Sequence, residues 1–200
     1  MDRHNLLQRI GKRALIITSL VLIPLLTMAQ HSNTKQTVLE AFKTDASMRW
    51  ELIADGVMGG VSTGELAFVQ TQDQAWLRLT GLVSTANRGG FIQARFYLQD
   101  PLPSAARGLW LTARGNNERY FVHVRTSGTI LPWQYYQASF EVTRQWQEIR
   151  LAWSDFKPSG GLSGSLLRAT PLPEAIKSIA IVAFGRDHQA EVEIATIGYE

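Results

Sequence analysis

Residues 60–64 read Gly60-Val61-Ser62-Thr63-Gly64, the G-x-S-x-G spacing that in acyl-transfer enzymes lifts a serine hydroxyl onto a strained turn. That chemistry needs an imidazole to take the serine proton and a carboxylate to orient the imidazole. The histidines available for it are His123 and His188, the latter beside Asp187. The elbow also requires a helix after the serine, whereas Glu65 to Gln70 alternate as a strand does, and His123 itself lies in an alternating run. No catalytic residue is expected here. A glycosidase pair needs two acids facing across a cleft. Asp55 and Asp155 are the acids to nominate, and nothing in the sequence brings them together.

Metal chemistry has little to work with. The chain has no cysteine, which also removes disulfides and thiolate nucleophiles, and there is no H-x-H pair. Asp55, Asp187 and Glu193 are oxygen donors for a structural calcium, but they lack the spacing of a calcium loop. Neither a P-loop nor a dinucleotide fingerprint is present. No metal and no cofactor is expected.

The serine belongs to a longer stretch, Asp55-Gly56-Val57-Met58-Gly59-Gly60-Val61-Ser62-Thr63-Gly64, with four glycines in ten residues. Glycine at such density marks positive φ or close approach of another group. We expect a tight, partly buried loop between two strands, with Val57 and Met58 inside it. Asp55 and Ser62 are expected to tie free backbone N–H groups with their side-chain oxygens. Among the aromatic residues, Trp110, Phe121, Phe140 and Phe184 fall within strand runs and are expected in the core. Trp133-Gln134-Tyr135-Tyr136 follows Pro132 at a loop-to-strand junction, where Trp133 either caps the core or displays its ring to a ligand. Arg114, in the turn-like Arg114-Gly115-Asn116-Asn117, either anchors that turn or binds a ligand. Arg114, Trp133, Tyr135 and Tyr136 are therefore the candidate ligand-binding residues.

Trp50 followed by Asp55-Gly56-Val57-Met58-Gly59-Gly60-Val61-Ser62 resembles the signature of the CIA30 family, the complex I intermediate-associated protein 30 domain. Asn87-Arg88-Gly89-Gly90-Phe91, Arg114-Gly115 with Tyr120, and Tyr135 to Phe140 leading to Trp146 and Asp155-Phe156 fit the same pattern in order. The resemblance runs from about residue 41 to residue 197. It implies a galactose-binding-like jelly-roll β-sandwich and a non-catalytic role. The family's mitochondrial member assists assembly of NADH:ubiquinone oxidoreductase. By that likeness Trp50, Asp55, Gly56, Met58, Gly59, Gly60, Ser62, Asn87, Gly89, Gly90 and Phe91 form a structural motif.

The elements that would position these residues repeat every two residues, not every 3.6. Short runs such as Phe91 to Phe96, Leu109 to Ala113, Tyr120 to Arg125, Ile176 to Phe184 and Glu191 to Ile197 are bounded by Gly, Pro, Asn, Asp or Ser. That spacing predicts an all-β sandwich. Helical pieces are expected only near 38–42 and 173–176, and 157–173 reads as an irregular flap or binding rim.

The first 29 residues differ in kind. Arg3, Arg9, Lys12 and Arg13 precede an apolar run from Ala14 to Leu26, and Thr27-Met28-Ala29 ends it with small residues. This describes a secretory signal peptide, with an uncleaved inner-membrane anchor as the alternative. Residues 30–40 are expected as a disordered lead-in, and 41–200 as one β-sandwich domain. Four of the 20 basic and one of the 17 acidic residues lie in the signal, leaving 16 of each. A nearly neutral domain excludes nucleic acid as a partner. The expected setting is the periplasm or the exterior. The expected partner is an envelope or membrane-complex protein met by recognition or chaperone-like assembly; the alternative is a glycan bound by a carbohydrate-binding module.

Overall fold

The computed structural model describes residues 35–200. The expected signal segment lies outside the described residues. Within them no helix is long and apolar enough to cross a membrane.

Among the described residues, twelve strands form two antiparallel sheets. In chain order they are β1 Thr37–Glu40, β2 Trp50–Ala54, β3 Thr63–Gln70, β4 Ala75–Val83, β5 Phe91–Tyr97 and β6 Gly108–Gly115. They continue as β7 Arg119–Thr126, β8 Tyr135–Glu141, β9 Gln147–Ala152, β10 Lys157–Ser159, β11 Ile176–Phe184 and β12 His188–Tyr199. One sheet runs β3-β4-β12-β6-β9 with β1 added alongside β12; the other runs β10-β8-β7-β11-β5-β2. Sequence neighbours are seldom sheet neighbours, so the order is that of a sandwich with crossing connections, not of simple hairpins.

Alternation decides what each strand buries. Leu77, Leu79 and Val83 on β4 and Val192 and Ile194 on β12 meet Ile92 and Phe96 on β5, Ile179 and Ile181 on β11, and Tyr120, Val122 and Val124 on β7 in one core. Each such side chain contributes about 1.5–3 kcal/mol by leaving water. Tyr120 is fully buried with its hydroxyl satisfied, donating to Asn116 at 2.7 Å and accepting from the Glu191 amide at 2.8 Å. Burial pushes that phenol up to about 12.

Three expectations change here. The lead-in ends early, because Thr37 to Glu40 pair with β12 as a strand and not as a lead-in or a helix. Glu40, buried, accepts from the Arg49 guanidinium and from Trp50 Nε1, which fixes this segment to β2. Phe121 and Phe184 are strand residues, but they alternate away from the core and touch edge to face on the outer side of the second sheet, 5.9 Å apart. Trp110 is buried outside the inter-sheet core, where its ring fills the space that a side chain at Gly198 would need.

Candidate functional site

The residues 55–64 close around one carboxylate. Asp55 opens a single 3-10 turn over Asp55–Met58 and is fully buried. Its Oδ1 accepts from the Ser62 amide at 2.9 Å, and its Oδ2 from the Ser62 hydroxyl at 2.5 Å, the Gly90 amide at 2.5 Å and the Phe91 amide at 3.3 Å. Burial pushes the Asp55 carboxyl up, but these bonds, the Ser62 hydroxyl foremost, outweigh it and hold the group below its usual range. A Cβ on Gly60 or Gly89 would overlap this carboxylate, so both glycines are there for space, whereas Gly59 and Gly90 are there for φ of 88° and 125°.

Ser62 serves the same purpose. It is buried, and besides donating to Asp55 it accepts from the Ser84 amide at 3.0 Å; β3, not a helix, follows it. Asp155 caps a short turn through the Ala152 amide, and Asp187 holds Thr85 through its amide and hydroxyl. Among the described residues no group of three or more His, Cys, Asp or Glu is arranged to hold a metal ion.

Val57 and Met58 are not inside the loop. They are 76% and 64% exposed and stand at one rim of a cleft of about 720 Å³ on the outer face of the second sheet. Its floor is β11, where Ser178 and Ala180 are small enough to leave a trough. Arg95 pairs with Ala180 from the β5 side, and Arg125 with Ser178 from the β7 side, so two guanidiniums flank the trough. Gln93, Phe91 and Phe184 line one end, and His123 and Tyr135 line the β7–β8 side. The two rings of that last pair stack, 4.0 Å between centroids and 14° from parallel. Trp133, Pro132 and Gly160 form the rim facing Val57 and Met58. The aromatic and guanidinium lining contains no Lys, Asp or Glu.

Arg125 is held in place by its own loop, donating to the carbonyls of Thr129 and Leu131 at 2.9 and 3.0 Å. Burial and the neighbouring Arg95 charge push its pKa down from the ordinary value. The same two causes lower His123 to about 3, so its imidazole is neutral at any ordinary pH.

Of the four candidate ligand residues, the cleft unites Trp133, 55% exposed, with Tyr135. Tyr136 is corrected: strand parity turns it inward, and it is a core side chain. Arg114 is corrected as well. It sits on the outer face of the other sheet, ion-paired with buried Glu193 and packed 4.5 Å from the Trp146 ring centre and 5.7 Å from that of Trp76. Trp76 Nε1 and Arg78 complete that Glu193 cluster, which is a structural clamp.

Sequence reasoning did not single out Arg95, Arg125, Gln93 or His123 for this cleft. Parity would have found them, since Phe91, Gln93, Arg95 and Tyr97 share one side of β5 while Ile92, Ala94 and Phe96 share the other.

A family model described as Complex I intermediate-associated protein 30 (CIA30) matches residues 40–194. No curated protein matches the chain. Among solved structures, the fold is similar to the family 11 carbohydrate-binding module of the cellulosomal cellulase Lic26A-Cel5E of Clostridium thermocellum. That pair has a TM-score of 0.66 and 13% identity over 84% of this chain and 95% of the other. The same family 11 module solved with a beta-1,3-1,4-mixed-linked tetrasaccharide gives 0.65 at 13% identity, over 82% of this chain and 94% of that one. A family 30 carbohydrate-binding module gives 0.50 at 13%, over 70% and 91%. At these identities the likeness is one of fold: two antiparallel sheets in a jelly-roll-like, galactose-binding-like sandwich.

Proposed function

This chain belongs to the CIA30 family, and from that premise we propose that it is a non-catalytic binding protein that recognises a partner protein through the cleft on its second sheet. One observation carries this reading. The cleft combines Met58, Trp133, Tyr135, Phe91 and three arginines with no Lys, Asp or Glu. That is the composition of the buried centre of a protein interface, rich in aromatic residues, Met and Arg and poor in other charges. The aliphatic rim weighs in the same direction, because exposed Val57 and Met58 suit apolar side chains better than hydroxylated sugars. Binding in this form is assembly or chaperone-like work, and bond-making is left to others. In this reading the encounter takes place in the periplasm or at the inner membrane, as the export-type segment of residues 1–29 implies.

The test is a photo-crosslinking amino acid placed at Met58 or Trp133 of the full chain in living cells. We expect crosslinks to a defined envelope protein from both positions and none from Leu82, an exposed residue on the other sheet. Equal labelling from all three positions would sink the reading.

A second reading has its own support. The stacked His123–Tyr135 pair and Trp133 give flat rings beside Gln93, and the fold is shared with carbohydrate-binding modules. A glycan array probed with the full chain distinguishes the two, since saturable binding to one neutral glycan class, lost in Trp133→Ala, would make the protein a sugar module.

A further inference from the structure

The arginines of this sandwich are treated unequally. Arg49, Arg78, Arg114, Arg119, Arg150 and Arg186 each reach a carboxylate. Arg88, Arg95 and Arg125 take part in no ion pair among the described residues. Arg107, Arg144 and Arg168 take part in none either, but they lie apart from the cleft that Arg88, Arg95 and Arg125 share. Glu51 lies opposite Arg95 across the β2–β5 pair, but the two meet only through Tyr97, whose hydroxyl accepts from Arg95 Nη1 at 3.4 Å and donates to Glu51 at 3.1 Å. Like charges gathered over a low-dielectric floor repel one another, and an anion entering between them removes that cost. Arg125 is already held by two backbone carbonyls, so little side-chain entropy remains to be lost when it meets a ligand. The rim beside these charges is apolar, with Val57, Met58 and Trp133 all exposed.

We propose that the cleft takes an acidic segment of a partner chain, its carboxylates seated on Arg95 and Arg125 and an adjoining apolar side chain held by Val57, Met58 and Trp133. This rests on the protein-recognition reading above and adds the chemistry of what is recognised. Arg95 can turn its Nε–Nη2 edge, two parallel N–H donors, to a carboxylate. Arg125, whose Nη2 is spent on the Thr129 and Leu131 carbonyls, meets one through Nη1. The two charges flanking the trough thus select for closely spaced Asp or Glu. Charge and rim together exclude a basic segment, which would meet three like charges.

The test uses the full chain, immobilised and offered a display library of random 12-residue peptides. The expected result is enrichment of peptides in which Asp or Glu adjoins an aliphatic or aromatic residue. Their affinity, measured by calorimetry on synthetic copies, falls by at least about tenfold in Arg95→Gln. It weakens as salt rises. Arg144→Gln, which removes the same charge from the β8–β9 connection outside the cleft, leaves it unchanged. In case Arg95→Gln perturbs the fold, Arg95→Glu is paired with peptides whose acid is exchanged for Lys, and recovery of binding shows that the charge pair itself is at work. Enriched peptides that lack acids and ignore Arg95 would overturn this proposal and leave protein recognition standing. Failure to enrich any peptide would overturn both, whether or not polygalacturonate, as an acidic glycan probe, binds in an Arg95-dependent way.

Discussion

Asp55 and Ser62 are joined twice: one carboxylate oxygen accepts the serine amide and the other the serine hydroxyl. The same carboxylate takes the amides of Gly90 and Phe91, 35 and 36 residues further on. A single side chain thereby pins the loop before β3 to the start of β5, and the cleft rim carrying Val57 and Met58 is built on that pin.

Asp55→Asn puts a second set of N–H donors where backbone donors already point. We expect a loss of about 2–4 kcal/mol in denaturant unfolding, with Ser62→Ala costing about 1–2 kcal/mol. The double variant should lose less than the sum, because both changes break the same bond.

Space, not φ, explains two of the glycines. Gly60→Ala and Gly89→Ala would each press a methyl group into the Asp55 carboxylate, and both are expected to lower the melting temperature clearly. A Cβ on Gly56 meets nothing within 4 Å. Gly56→Ala is therefore expected to be neutral or stabilising by up to about 1 kcal/mol. Equal effects at the three positions would contradict this account.

Acid should act through His123. Its folded pKa, about 3, is below the ordinary 6.5, so between those values the unfolded chain binds a proton that the folded one refuses. Stability thus falls as pH drops through that window, by as much as about 1.4 kcal/mol per pH unit from this group. Chemical denaturation from pH 7 to pH 4 should show that slope in the parent and a shallower one in His123→Phe.

Carboxylates add a second acid-sensitive step. Asp55 and Glu193 are both held below their ordinary values. For Glu193 burial acts upward, and Arg114, Arg78 and Trp76 outweigh it. Their contributions are complete above the ordinary values, 3.8 and 4.5, and disappear as pH falls through the lower folded ones. Glu193→Gln should remove one of these, cost roughly 2–3 kcal/mol near pH 7, and alter the fluorescence of Trp76 and Trp146.

What could be read from the chain was local. Alternation around Tyr120 to Arg125 and Ile176 to Phe184 marks strands, and the glycines around Asp55 mark a closed loop, because both depend on near neighbours. The cleft depends on pairings over long separations. Arg95 and Arg125 flank one trough only because β11, more than 50 residues later than Arg125, lies between their strands. Strand parity was legible and would have turned Tyr136 inward and Phe121 outward. The choice of which sheet face stays open to solvent was not legible, because it depends on how the two layers meet.

Strand β12 also sets the order in which this protein can come into being. It separates β4 from β6 and carries β1 as well, yet it is made after all of them. A nascent chain that has reached only Phe184 has its first sheet in three pieces, β3-β4, β6-β9 and an unpaired β1. Until β12 is made, the edges of β4 and β6 stand open, and the fold closes late.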